Sequence, residues 1–282
     1  MNSRLIGIAI LIVAIGGASA YFMTKSDPVD TNSLSSEPIS QNEKISLVIN
    51  TINPPQSIDD LEAAYKVAST SGAGRTNLYV YWGQIEPEKG NFDWRVTDIM
   101  MKLNEKYNFK TTLFFSVINA DRLGPFPSWM GNQAIGETLE GETIRVLDSI
   151  LSRYENIDYV IFAGDIDYHF QRASGSIPTY VEFFDDVYTE IKSKHPDVKI
   201  GNSMSLENVI NKGMEPGGSF ELTPKLEMGD FIALSYKPTD VVGDINRTPQ
   251  EAIADLEKSL EIFPSHQLAF FEISWSTSDF VN

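Results

Sequence analysis

The sequence predicts an α/β fold, a parallel barrel of the (β/α)8 type, on three observations. Seven apolar runs rich in β-branched and aromatic residues alternate with amphipathic helical segments, and no glycine-rich loop follows the first run. Continuous apolar strands separated by single helices imply a parallel sheet covered by helices. An open, doubly wound sheet would carry a phosphate-binding glycine loop after its first strand, and "INTINPPQS" offers two prolines and no glycine. The barrel is the better reading, with its functional face at the strands' C-terminal ends.

The chain opens on an uncharged apolar stretch from Leu5 to Met23, behind Arg4 and with "ASA" at Ala18 to Ala20. It is about as long as a bilayer-spanning helix. Residues 1–23 read as a signal peptide cleaved after Ala20 or as an N-terminal membrane anchor, and both readings stand because the apolar run continues through Tyr21, Phe22 and Met23. Either one places the protein outside the cytoplasm, secreted or membrane-anchored. Residues 24–44, rich in Ser, Asn, Asp and Pro, read as a flexible polar linker, and residues 45–282 as the barrel domain.

Within that domain the first strand is predicted at Ile45 to Thr51, followed by a helix capped by Ser57, with Leu61, Ala64, Tyr65 and Ala68 on one face and Gly72 to end it. The second strand, Thr76 to Trp82, precedes a helix marked by Val96, Ile99, Met100 and Leu103. The third, Thr111 to Asn119, precedes one marked by Ile144, Leu147, Ile150 and Leu151. The fourth, Asp158 to Gly164, leads to the period Val181, Phe184, Val187, Tyr188. After the fifth, Val198 to Asn202, the connection Ser203 to Gly229 is irregular, a loop with a short helix. The sixth, Asp230 to Tyr236, is followed by the capping box Thr248-Pro249-Gln250-Glu251 and by Ile253, Leu256 and Leu260. The seventh runs from Gln267 to Ser274.

The formal net charge of −17 and the lack of a basic run argue against nucleic acid or an anionic membrane surface as partner. With no cysteine, disulfides, thiolate metal sites and cysteine nucleophiles are excluded. The histidines, His169, His195 and His266, show no ligand spacing, so neither a metal nor an organic cofactor is implied.

The strand ends place Trp82, Asn119, Asp165 with Asp167, Tyr236, and Glu272 with Trp275 on the functional face. Alternation groups Ile161, Ala163, Asp165 and Asp167 on one face, and Leu268, Phe270, Glu272 and Ser274 on another. If both faces point inward, two carboxylates look across the barrel mouth. Paired carboxylates about 5–5.5 Å apart suit a retaining glycosidase, one protonating the leaving oxygen and the other attacking the anomeric carbon. Aromatic side chains, among them Phe126 and Trp129 of "GPFPSWMG", would be platforms for sugar faces. Glu86 and Pro87 read as a pair that shapes the loop.

Three segments in order resemble the clan A glycoside hydrolases, retaining enzymes of the TIM-barrel superfamily. "YWGQIEPEKGNFDW" from Tyr81 is similar to that clan's second-strand signature, "LSYKP" from Leu234 to its sixth strand, and "FFEISWSTS" to its seventh-strand nucleophile segment. The resemblance implies hydrolysis of β-glycosidic bonds in an extracellular glycan, with Glu272 as nucleophile, Tyr236 orienting it, Asp165 as acid/base, and Trp82, Asn119, Trp129, Asp167 and Trp275 binding the sugar. The fourth strand departs from the family, whose Asn-Glu pair is replaced in "FAGDIDYHF" by Gly164 and Asp165. This draws the carboxylate back by about one C–C bond, roughly 1.5 Å, and favours as alternative a catalytically impaired barrel that binds a carbohydrate. The chain also ends where the eighth strand would follow, which reads as C-terminal truncation of the barrel. A partner or second copy completing it, or the N-terminal segment doing so, are the other readings.

Overall fold

A computed structural model describes residues 40–49, 57–210, 221–238 and 245–274. Residues 1–23 and Trp275 lie outside them, and among the described residues no helix is long and apolar enough to cross a membrane. The chain divides into two compact units, one of residues 39–236 with 265–272 and one of 237–264 with the segments at either end of the chain.

The larger unit is a nearly closed parallel barrel with helices between its strands. In chain order these are β1 (Asn42–Leu47), α1 (Ile58–Ser69), β2 (Ala73–Tyr79), α2 (Trp82–Ile85), α3 (Arg95–Lys106), β3 (Lys110–Phe114), α4 (Glu137–Arg153) and β4 (Ile157–Ile161). They continue with α5 (Ile166–Arg172), α6 (Ile177–Lys194), β5 (Lys199–Ser205), α7 (Leu206–Ile210), α8 (Thr223–Leu226), β6 (Phe231–Tyr236) and β7 (Leu268–Ile273). All seven predicted strands form one sheet in sequence order. The pairs from β1 through β6 are parallel, as a chain of right-handed strand–helix–strand units requires.

Helix ends follow local chemistry. Ser57 starts α1 as predicted: its hydroxyl accepts from the Asp60 N–H, and the Asp60 carboxylate accepts from the Ser57 N–H. In the smaller unit α9 (Pro249–Ile262) begins with the predicted box, Thr248 and Glu251 satisfying each other's amides, and Pro249 sits at the first helical position. The irregular connection after β5 holds the short helices α7 and α8, while residues 211–220 lie outside the description.

The strand boundaries differ from expectation in ways that matter for the site. β2 ends at Tyr79, and Trp82 opens a helical turn instead of closing a strand. β3 ends at Phe114, after which Ile118–Asn119 pairs with Arg122–Leu123 in a two-residue antiparallel hairpin. β1 starts at Asn42, three residues into the segment read as linker.

The barrel interior is aromatic. Phe114, Ile161, Phe231, Ala233 and Phe271 form one buried cluster, with Tyr79, Tyr159 and Ala269 packed against it. Phe114 and Phe271 stack at 5.6 Å, and Tyr79 tilts onto Phe114 at 4.8 Å. Along β7 Ala269 and Phe271 face the interior, the opposite parity to the Leu268, Phe270, Glu272 row that alternation suggested. Glu272, next to last in the strand, meets Tyr79 only through the tip of its carboxylate, Oε2 lying 3.4 Å from the phenol oxygen. Beneath this layer the Arg75 guanidinium grips both oxygens of Asp158 and lies 4.7 Å from the Tyr159 ring centroid. Asn77 of β2 links β1 and β7: Ser46 donates to its Oδ1 (2.7 Å), and its Nδ2 donates to the Phe271 carbonyl.

Candidate active site

At the C-terminal end of β4 the chain leaves extended geometry abruptly. Asp165 adopts the left-handed conformation (φ 47°, ψ 48°) and α5 begins at the next residue. Such backbone costs a non-glycine residue of order 1 kcal/mol or more and persists only where the surroundings enforce it. Two serines enforce it. The Asp165 N–H donates to Ser203 Oγ (2.8 Å), Ser203 Oγ donates back to Asp165 Oδ1 (2.9 Å), and Ser235 Oγ donates to the same oxygen (2.8 Å). One carboxylate oxygen thus ties together the ends of β4, β5 and β6.

Across the mouth, Glu272 reaches the phenol of Tyr79, whose oxygen lies 3.4 Å from Glu272 Oε2. Burial pushes the Tyr79 phenol well above its usual range, with Glu272 next in effect and smaller contributions from Tyr81 and Asp165. Glu272 is thus in contact with a tyrosine at the end of β2. Tyr79, Ser203 and Ser235 were not singled out in the sequence. The signal for Ser235 was its spacing by two from Phe231 and Ala233, the inward row of β6.

The remaining predicted residues are placed differently. Tyr236 is buried, and alternation groups it with Ile232 and Leu234, on the face opposite Ser235. Asp167 does not share the inward face of Asp165, because strand alternation stops where α5 starts. It is fully buried, accepting from the Ser205 N–H (2.9 Å) and from Asn208 Nδ2 (2.8 Å). Trp82 is 3% exposed, packed on Phe115 and Phe126, so neither face is open to a sugar. Its indole donates to Glu86 Oε2 (2.8 Å), and the half-buried Trp129 donates to the Glu86 carbonyl (3.0 Å). Both tryptophans fasten the Glu86 loop. Asn119 is exposed in the small hairpin, bridged through its backbone to Gly164. Among the described residues no group of three His, Asp or Glu side chains could hold a metal ion.

Gly164 is closely packed. A Cβ at this position would stand 2.5 Å from Cζ of Phe114 and 2.9 Å from Cε2, so a core aromatic fills the space that a side chain here would need.

Burial raises the Asp167 carboxyl from an ordinary 3.8 to about 7, outweighing the two hydrogen bonds it accepts, and the nearby charge of Asp165 adds to the rise. The folded state thus holds a proton there that the unfolded chain has released, so stability from this group is complete below about pH 4 and is lost as pH rises through about 7. Tyr168 and Glu207 stand in the same surroundings. Asp167→Asn is expected to flatten this slope. Melting temperatures of parent and variant between pH 4.5 and 8 should converge on the parent's advantage at the acid end and separate in the variant's favour at the basic end; a pH-independent difference would refute the assignment.

No protein-family profile matches the sequence, and no curated protein does. Solved structures do. The β-glycosidase BGL167 superposes with a TM-score of 0.51 at 9% identity, over 76% of this chain and 75% of its own. Xylanase 10B from Thermotoga maritima gives 0.51 at 12% identity, over 79% and 67%. A GH5_18 enzyme from Bifidobacterium longum, crystallised with a mannosyl-β-1,4-GlcNAc disaccharide, gives 0.47 at 12% identity. The present chain spans under half of that enzyme, 45% of its length. These neighbours are glycoside hydrolases of clan A, the group that the strand segments resemble. The likeness to BGL167 and to xylanase 10B establishes the TIM-barrel fold.

Proposed function

We propose that the barrel acts on β-linked glycans as a retaining glycoside hydrolase, with Glu272 as the nucleophile and Asp165 as the opposing carboxylate. The observation that supports the reading is that the Glu272 carboxylate from β7 lies 3.4 Å from the phenol oxygen of Tyr79, while the Asp165 carboxylate is held at the end of β4 by Ser203 and Ser235. In a two-carboxylate mechanism Glu272 attacks the anomeric carbon and Asp165 hands a proton to the leaving oxygen, then takes one from the water that releases the sugar. Residues 1–23 fit delivery outside the cytoplasm, where such glycans occur; cell fractionation with and without that segment tests this, and unchanged cytoplasmic retention would count against it.

Glu272→Gln and Glu272→Ala are expected to lower kcat on 4-nitrophenyl β-glycosides by on the order of a thousandfold or more, as removal of a nucleophile does. Variants as active as the parent would sink the proposal.

A second reading is favoured by the site of Asp165. Two serine hydroxyls occupy Oδ1, and Phe114 fills the place of a sugar-contacting asparagine. A barrel so altered would bind a β-linked oligosaccharide without cleaving it. Saturable binding in calorimetry by a parent with no turnover, weakened by Glu272→Ala, would select this reading.

A further inference from the structure

We infer that the rim beside Asp165 is a subsite for an anionic substituent, a carboxylate or sulfate group, on the leaving portion of the glycan. Tyr168 is its platform, and Arg122 and Arg172 supply its charge. The inference rests on the reading of Asp165 as proton donor given above and names the substrate class.

Two elements build this rim. The hairpin of Ile118–Asn119 and Arg122–Leu123 is tied to the end of β4, the Gly164 N–H donating to the Ile118 carbonyl (2.8 Å) and the Ala120 N–H to the Gly164 carbonyl (2.9 Å). α5 starts directly after Asp165. Spacing by three, four and seven residues puts Tyr168, His169 and Arg172 on one side of this helix, in line with Asp165. Hairpin and helix meet through Asp121. Arg172 Nη1 donates to its Oδ2 (3.1 Å), His169 Nδ1 lies 3.2 Å from its carbonyl oxygen, and Arg122 Nε lies 3.6 Å from its Oδ1.

The charges on this rim do not balance. Among the described residues one carboxylate, that of Asp121, is paired with both guanidiniums, whose side chains are 85% and 78% exposed. Each keeps further N–H donors in the planar fork that fits a carboxylate or a sulfate. In a chain of net charge −17 this is a local excess of positive charge on the functional face. Asp165 and Glu207 carry the opposite sign at the near end of α5, around Tyr168. Arg172 stands seven residues beyond Asp165, about 10 Å along the helix axis, which is roughly a Debye length. The rim thus suits a neutral sugar next to Asp165 and an anionic group farther out.

Tyr168 lies between these two zones along α5. Unlike Trp82 it is exposed, 40% of it, and it has ring surface to offer a sugar. Its phenol is bonded to the Ser205 side chain at the end of β5, which fixes the ring over the mouth. In a displacement at the anomeric carbon the nucleophile stands opposite the leaving oxygen. With Glu272 attacking from β7, the side of β4 and α5 belongs to the leaving portion.

Calorimetry on the full chain carrying Glu272→Gln, so that bound glycan is not consumed, tests this. The probes are a β-1,4-linked oligosaccharide bearing glucuronic acid and the same compound with its carboxyl reduced to an alcohol. At low salt the acidic form is expected to bind about tenfold tighter or more, a margin that shrinks as salt is raised. Arg122→Gln together with Arg172→Gln should bring the two affinities level, while Tyr168→Ala should weaken both forms alike and leave their ratio unchanged. An O-sulfated form of the oligosaccharide identifies the charged group, the tighter of the two anions being the one the subsite takes. Equal binding of the acidic and reduced forms, a preference that survives in the double arginine variant, or no binding of either form would overturn the inference. Binding is read without turnover. If the Glu272 variants prove as active as the parent, the glycosidase reading falls, and the preference for the acidic form still decides the anionic subsite.

Discussion

Glu86→Ala is expected to cost about 3–5 kcal/mol of stability, the range found when one partner of a buried ion pair is removed. Glu86 is fully buried, and its carboxylate serves three elements. Arg145 of α4 donates to both oxygens at 2.6 and 2.8 Å, the Trp82 indole donates to Oε2, and the Gly90 N–H donates to Oε1 at 2.6 Å. Truncation leaves an indole and an amide without acceptors in a dry site, and it leaves a guanidinium that is only 34% exposed without its main counter-charge. Glu142, 2.8 Å from Arg145, compensates in part. Glu86→Gln should cost less than Ala, because it keeps the volume and one acceptor, but it turns a donor toward donors. Urea denaturation of the two variants would measure this. A loss under about 1 kcal/mol for Ala would mean that the cluster is not what holds the β2–α3 loop.

That cluster also shows why part of the site was not legible. Trp82 reads as a sugar platform because tryptophan at a strand end is common to both roles, and nothing in the spacing reveals that the Glu86 carboxylate takes its indole N–H. The strand rhythm itself was readable, since seven apolar runs had no other way to be buried. The inward row of β4 was readable at Ile161, but that of β7 was not. "LAFFEI" is apolar on both faces, so no polar alternation fixes its parity, and Phe271 faces inward against the predicted row. Asp167 was misplaced for a related reason: alternation was carried one residue pair past the left-handed turn at Asp165, where the chain had already entered a helix. Glu272 drew attention because a carboxylate within an apolar run is costly and so calls for a reason, and Asp165 through the alternation of its strand. The serines that fix Asp165 carry no such cost and drew no attention.

Restoring the family's Asn-Glu pair by Gly164→Asn with Asp165→Glu is expected to destabilise the barrel before it can improve any chemistry. The first added carbon alone meets Phe114 at 2.5 Å, and Phe114 cannot retreat easily, lying between Tyr79 at 4.8 Å and Phe271 at 5.6 Å. Overfilling a packed interior in this way costs about 3 kcal/mol, the upper end of the usual range, because a ring in a filled aromatic layer has few other rotamers. Asp165→Glu then lengthens a side chain whose oxygen is already fixed by Ser203 and Ser235, so the two serine bonds and the left-handed backbone cannot all be kept. The steric claim can be separated from the chemical one by a double-mutant cycle of Gly164→Ala and Phe114→Leu. Each alone should destabilise, the first by crowding and the second by leaving a void, while together they should be clearly less harmful than their sum, with a coupling of about 1 kcal/mol or more. Additive losses would show that the ring yields freely, and then Gly164 would need an explanation in binding or catalysis rather than in packing.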